Sequence, residues 1–86
     1  MQDNKISEEV KEPVALTLLR AGLADLKMQI LSGDTEDIAA KADVSERTVI
    51  RYIKEDLVAD FDTGKKILDI GRKIILKREQ SLRRVA

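Results

Sequence analysis

The apolar residues of the chain recur in steps of three and four over most of its length, which is the spacing of an amphipathic helix. The clearest stripe begins after Pro13, which suits the first turn of a helix because it lacks an N–H group. It ends near Ser32 and Gly33, residues typical of a helix C-terminus. We therefore predict a first helix over about 13–31. Its apolar stripe consists of Leu16, Leu19, Leu23, Leu26 and Ile30.

The second predicted helix is short and covers about 35–42. Asp34 or Thr35 can cap its first turn, where acidic residues also favour the positive end of the helix dipole. The helix ends at the sequence Asp-Val-Ser, where Asp43 can adopt a left-handed conformation. Ala39 leaves room for the close approach of a neighbouring helix.

The third predicted helix covers about 46–55 and follows directly, with Ser45 as its N-cap. Two short helices joined by a tight turn, with small residues where they cross, are typical of a helix-turn-helix. We therefore predict this motif over about 35–54, with an exposed polar face on its second helix. The residues expected to hold the pair on the core are Ile38, Ala42, Val44, Val49 and Tyr52. The buried side of the third helix is expected to carry Val49, Tyr52 and Ile53.

A last, long helix is predicted over about 63–84, capped by Asp62 or Thr63. Its apolar positions are Ile67, Ile70 and Ile74, flanked by Leu68 and Ile75. Basic residues surround them: Lys65, Lys66, Arg72, Lys73, Lys77, Arg78, Arg83 and Arg84. Three interpretations of this basic amphipathic helix stay open. It can be a solvated surface, an element that contacts phosphate or forms a dimer, or a membrane-surface helix, which its lack of Trp and Phe disfavours.

Composition supports an all-α fold with an aliphatic core. Apolar residues form 43% of the 86-residue sequence but aromatic residues only 2%, and there are one Pro and four Gly. We predict a small helical bundle of about four helices in a single domain over 13–86. A polar, charged segment at 1–12 is expected to form a flexible arm. Because so short a chain buries little surface, we also expect self-association.

The absence of Cys and His excludes disulfides, thiol nucleophiles, imidazole bases and the usual zinc ligands. No spacing isolates two carboxylates in an apolar context, so we expect them at the surface rather than in a catalytic pair. No apolar run approaches 18 residues, and the polar, acidic start of the chain differs from a secretory signal. We therefore expect a soluble, cytoplasmic protein that is not an enzyme, binds no metal or cofactor and does not associate with membranes.

The sequence has no net charge, but its two halves differ in charge. Residues 1–43 hold five Lys or Arg and nine Asp or Glu, whereas residues 44–86 hold eleven and seven. The basic half begins at the third predicted helix. A local basic surface of this kind is compatible with nucleic-acid binding.

The exposed face of the third predicted helix carries side chains that suit DNA. Arginine can donate two parallel hydrogen bonds to guanine, glutamate can accept one from cytosine, and isoleucine can contact the thymine methyl group. Phosphate groups of the DNA backbone are the expected contacts of Lys54, Thr48 and Ser45. Thr35 and Ser45 also lie near helix N-termini, where backbone N–H groups can face phosphate. The candidate DNA-binding residues are Thr35, Ser45, Glu46, Arg47, Thr48, Ile50, Arg51 and Lys54.

The stretch DIAAKADVSERTVIRY, residues 37–52, resembles the DNA-binding headpiece of lac-repressor-type regulators, whose pattern reads approximately (D)VA..AGVS..TVSR. Further along, TGKKILDIGRK resembles the third helix of that headpiece, so the likeness covers about 35–75. Similar strings occur in phage-repressor-like and recombinase helix-turn-helix domains.

The resemblance implies a division of roles among the residues of the third predicted helix. Glu46 and Arg47 would read bases most directly, and Arg51 would read a third position. Ser45 and Thr48 would contact the DNA backbone.

Three features depart from the lac-type pattern. Asp43 stands where the turn usually has glycine, and it brings a carboxylate near phosphate. The predicted helix over about 13–31 precedes the motif, where the lac-type headpiece has no helix. No effector-binding domain follows in the sequence, so small-molecule induction is not expected.

We predict a sequence-specific transcriptional regulator that binds double-stranded DNA, a small repressor acting as a homodimer through its first or last helix. The alternative is a helical protein-interaction module, such as an antitoxin, an anti-repressor or a polymerase-binding adaptor, which the neutral charge and the acidic first half support. A further alternative is a simple helical hairpin with a solvated charged surface. Its ion pairs would join Arg47, Arg51 and Lys54 to Glu46, Glu55 and Asp56.

Overall fold

The computed structural model describes residues 13–85, in which every regular element is a helix. The helices are α1 (Val14–Lys27), α2 (Asp34–Ala42), α3 (Glu46–Ile53) and α4 (Phe61–Val85). The predicted all-α class and the number of about four helices are thereby confirmed. The arm predicted at 1–12 lies outside the described residues, as does residue 86.

α1 and α4 lie in close contact and run in the same direction. A Cβ atom added to Gly22 of α1 would lie 2.8 Å from Leu68 Cδ2 of α4. Further along both helices, a Cβ atom added to Gly71 of α4 would overlap the side chain of Leu26 of α1. A glycine inside a helix costs about 1 kcal/mol relative to alanine. Here the glycines allow the two helices to approach more closely than side chains would permit.

The core is aliphatic, as the composition predicts, and all four helices contribute to it. Its largest fully buried side chains are Leu23, Leu26, Ile38, Val49 and Ile67. Tyr52 adds an aromatic ring at the edge of the core. The hydroxyl oxygen of Tyr52 accepts a hydrogen bond from the backbone N–H of Asp60 at 2.8 Å, which ties the α3–α4 loop to α3.

α1 ends at Lys27, several residues before the predicted end near 31. The backbone N–H of Leu31 donates to the carboxylate of Asp34 at 2.6 Å rather than to the carbonyl one helical turn earlier. The longer prediction was wrong because the apolar stripe continues beyond the helix. Ile30 still packs against the core although it lies in the connecting turn.

Asp34 joins α2 to the C-terminal half of α4. The N-cap of α2 is Gly33, with φ 93°, so the predicted capping by Asp34 or Thr35 is wrong. The Asp34 carboxylate is buried, and it accepts hydrogen bonds from Arg78 Nη2 at 2.7 Å and from the N–H of Leu31. Burial alone would raise the pKa of Asp34, but these hydrogen bonds and the charge of Arg78 outweigh burial and lower it.

The N-terminus of α4 is capped by Asp60 instead of the predicted Asp62 or Thr63. The carboxylate of Asp60 accepts hydrogen bonds from the backbone N–H and the hydroxyl of Thr63, at 2.9 and 2.7 Å. These hydrogen bonds lower the pKa of Asp60. The earlier cap explains why α4 begins at Phe61, ahead of the predicted start at 63.

We expect Gly71→Ala to destabilise the fold. Alanine gains up to about 1 kcal/mol in helix propensity, but its methyl group would overlap Leu26, which is only 2% exposed and is held by the core. Overpacking costs about 1–3 kcal/mol, so the free energy of unfolding should fall by about 1 kcal/mol in urea denaturation. In a Leu26→Ala background the same substitution should be neutral or stabilising. A similar loss in both backgrounds would contradict the close contact.

We expect Asp34→Asn to destabilise the fold more at neutral than at acid pH. The stabilisation by the carboxylate is present above its unfolded-state pKa of about 3.9 and is lost as the pH falls through the lower folded-state pKa. The free energy of unfolding should fall by about 1–3 kcal/mol at pH 7, and the difference should shrink below about pH 4. Urea denaturation of the wild-type protein and the variant at both pH values measures this difference in the free energy of unfolding.

The matched control is Asp37→Asn, which removes an exposed carboxylate from the first turn of the same helix. It should cost less than about 1 kcal/mol, since only the interaction with the helix dipole is lost. Equal losses for the two variants at pH 7 would show that the contact between Asp34 and Arg78 does not stabilise the fold.

Candidate functional site

The turn between α2 and α3 fixes the relation of the two helices. Asp43 adopts the predicted left-handed conformation, with φ 61°, and so takes the place of a turn glycine. The N–H of Val44 donates to the carbonyl of Ala39 at 3.1 Å, and the Val44 side chain packs against the core. α2 and α3 together span residues 34–53, the stretch in which the sequence predicts the motif.

Both ends of α3 are defined by local contacts. Ser45 is its N-cap, as predicted: Ser45 Oγ accepts a hydrogen bond from the N–H of Thr48 at 3.1 Å. The two hydroxyl oxygens of Ser45 and Thr48 lie 2.9 Å apart. The helix ends at Ile53 rather than at the predicted 55, because Asp56 turns the chain with φ 56°.

α3 buries one side and exposes the other. Val49, Tyr52 and Ile53 face the core. The other side spans about 140° of the helix circumference at 100° per residue. We call this side the outer face of α3, and it consists of Glu46, Arg47, Ile50, Arg51 and Lys54. Ile50 is half-buried and the other four residues are exposed.

Seven of the eight predicted site residues lie on or beside this outer face. Ser45 and Thr48 flank its N-terminal end, where Ser45 is exposed and Thr48 is half-buried. Arg47 and Arg51 are one helical turn apart, so their guanidinium groups can act on neighbouring positions of one ligand.

The guanidinium groups of Arg47 and Arg51 make no hydrogen bond or ion pair with any residue of 13–85. Asp56, a proposed partner in the hairpin alternative, is held by Arg20 instead, with contacts of 3.1 Å from Nε and 2.6 Å from Nη2. These hydrogen bonds lower the pKa of Asp56. Glu46, a second proposed partner, accepts a hydrogen bond from Thr35 instead. The guanidinium groups of Arg47 and Arg51 are therefore not held in an ion pair within this part of the chain.

Thr35, the eighth predicted residue, lies beneath the surface. It is 7% exposed, and its Oγ1 donates a hydrogen bond to Glu46 Oε2 at 2.8 Å. This bond joins the first turn of α2 to the first residue of α3. Sequence spacing gives no sign of it, because it depends on how the two helices cross.

Lys27 lies close to the outer face although the sequence does not indicate it. Its Nζ donates to the carbonyl oxygen of Lys54, the C-cap of α3, at 3.3 Å. Lys27 also lines a shallow concavity between the end of α1 and the outer face, together with Glu46 and Ile50. The two lysines are 27 residues apart in sequence, and only the packing of α1 beside α3 brings them together.

Exposed apolar side chains occur on α1 and α4. Val14 and Leu18 of α1 are 75% and 65% exposed. Leu76 and Leu82 of α4 are 54% and 65% exposed. These are the two helices in which the sequence predicts an interface between copies of the chain.

Two further properties concern the helices and side chains of residues 13–85. None of these helices combines the length and apolar character needed to cross a membrane. Nowhere in this range do three or more acidic side chains gather in a way that could hold a metal ion.

Comparison of the chain with protein-family models, with curated proteins and with solved structures gave no significant match.

Proposed function

We propose that the protein is a sequence-specific regulator that binds double-stranded DNA and inserts α3 into the major groove. The observation that carries this proposal is the outer face of α3, which presents two guanidinium groups without an ion pair in residues 13–85, on a helix capped at Ser45. The major groove of B-DNA is about 12 Å wide and admits an α-helix. The resemblance of residues 37–52 to lac-repressor-type headpieces supports the same conclusion.

The side chains on and beside the outer face match different chemical groups of the DNA, some on the base edges and some on the phosphates. Arg47 and Arg51 can each donate two hydrogen bonds to O6 and N7 of a guanine. Ile50, which is half-buried, can contact a thymine methyl group with its exposed part. Ser45 and Thr48 lie at the end of α3 where phosphate would flank the groove. Lys54 and Lys27 would face phosphate at the opposite end of the helix.

The protein would act as a homodimer in the cytoplasm, as a small repressor. A two-turn helix reads only a few base pairs, and two copies on an inverted repeat, about 34–36 Å apart, would supply the missing affinity and specificity. The exposed apolar side chains of α1 and α4 support self-association, because burying them against a second copy would stabilise the pair.

A protein-interaction module remains the second candidate, and one surface of α4 favours it. Ile70, Ile74 and Leu76 line an open groove together with Lys41, Lys73 and Lys77. An acidic, partly apolar partner would fit such a surface. In that case α3 would present a charged surface without reading bases.

We expect selection from a random pool of duplexes, at roughly physiological salt, to enrich an inverted repeat with guanine at defined positions. Arg47→Ala should weaken binding to the selected site by about 10–100-fold, equivalent to about 1–3 kcal/mol, and relax the base preference at one position. Quantitative binding measurements on the selected site and on single-base variants test this.

Arg47→Lys is the matched control, because it keeps the positive charge but loses the planar fork that bonds to guanine. It should relax the base preference in the same way as Arg47→Ala. If both variants keep the base preference and lose affinity equally for all sequences, Arg47 contacts phosphate instead of a base. If the wild-type protein enriches no sequence and binding is lost uniformly as salt rises, the DNA-reading proposal fails and the protein-interaction module is favoured.

A further inference from the structure

The hydrogen bond between Thr35 and Glu46 has only one chemically consistent direction. An ionised carboxylate can only accept hydrogen bonds, so the hydroxyl of Thr35 is the donor and Glu46 Oε2 the acceptor. Thr35 is 7% exposed and sits in a helix, so its position is fixed by the fold. Glu46 is exposed and would otherwise sample several rotamers.

We propose that Thr35 is a positioning residue that holds the carboxylate of Glu46 ready to read a cytosine. This inference rests on the proposed function, since it concerns the same outer face of α3. Glu46 Oε1 has no partner within residues 13–85 and is free to accept a hydrogen bond from outside. Because the side chain is already ordered by Thr35, less conformational entropy is lost when DNA binds.

The acceptor-only chemistry of the carboxylate selects cytosine among the bases of the major groove. Guanine presents two acceptors there and thymine presents one, so both would repel a carboxylate. Cytosine presents its N4 amino group as a donor. Adenine also has a donor, at N6, but its N7 acceptor lies beside it and would repel the second carboxylate oxygen.

The charges around Thr35 favour this role over a direct phosphate contact. The first turn of α2 contains the carboxylates of Asp34, Glu36 and Asp37. The Glu46 carboxylate adds a fourth negative charge at Thr35 itself. Asp34 is paired with Arg78, so a phosphate at this helix N-terminus would lie near the carboxylates of Glu36, Asp37 and Glu46. Thr35 would also have to break its bond to Glu46 in order to donate to that phosphate.

Thr35→Val tests the proposal, because valine keeps the shape of threonine and removes only the hydroxyl. Duplex selection with the wild-type protein should show cytosine at one position of each half-site. With Thr35→Val the cytosine preference at that position should fall by about tenfold, within the range that one base contact supplies, while other positions keep their preferences. Thr35→Ser is the matched control, and it should retain the wild-type preference because it retains the donor.

A double-mutant cycle isolates the interaction of the two residues. Glu46→Ala should abolish the same cytosine preference, and adding Thr35→Val to Glu46→Ala should change the preference no further. The base preference is a ratio of affinities measured with one protein. Partial unfolding of a variant would lower binding to all sequences equally and could not imitate the predicted change.

The remaining outcomes separate this inference from the proposed function. If wild-type protein selects a sequence but Thr35→Val selects the same one, the positioning role of Thr35 is wrong while DNA reading stands. A uniform loss of affinity in Thr35→Val, with the cytosine preference intact, would also overturn it and would indicate a phosphate contact. If wild-type protein selects no sequence at all, the proposed function fails and the inference fails with it.

Discussion

The close parallel contact between α1 and α4 is the constraint on which the other elements depend. Gly22 and Gly71 remove the side chains that would hold the two helices apart, and Leu68 and Leu26 fill the space that results. The cost is about 1 kcal/mol of helix propensity for each glycine. The gain is a shared aliphatic surface long enough for both short helices to pack on, in a chain with few aromatic side chains to fill larger gaps.

The position of α3 follows from this arrangement. α2 is fastened to α4 by the buried contact of Asp34 with Arg78, and the turn at Asp43 then sets where α3 starts. α3 turns Val49, Tyr52 and Ile53 to the core, so its charged side must point outward. The outer face is therefore exposed as a consequence of core packing. Its exposure would be expected whatever the face binds, and only its chemistry argues for DNA.

Local features of the structure could be predicted from the sequence, and contacts between distant residues could not. The apolar spacing gave the four helices, and Ser45 and Asp43 acted as their residue types suggest because a cap or a left-handed turn needs only neighbouring residues. The predicted end of α1 and the predicted cap of α2 were wrong because Asp34 bonds to Leu31 and to Arg78, which is 44 residues away. The same distinction holds in the site. The periodicity of the sequence identifies the outer face, whereas the contact of Lys27 with Lys54 could not be predicted because it depends on how α1 packs beside α3.

The zero net charge of the chain does not oppose binding to a polyanion, because what matters is where the charges lie. Ion pairs among the described residues join Arg20 to Asp56, Lys65 to Asp69 and Arg78 to Asp34. Arg47 and Arg51 have no such partner in this part of the chain.

At physiological salt, exposed charges more than about 8 Å apart are largely screened from each other, so distant carboxylates cancel little of the local field at α3. A neutral protein of this kind would gain little from long-range attraction to DNA and would bind arbitrary sequences weakly. In the proposed complex, most of the affinity would therefore have to come from short-range contacts, among them the base contacts of Arg47, Ile50 and Arg51.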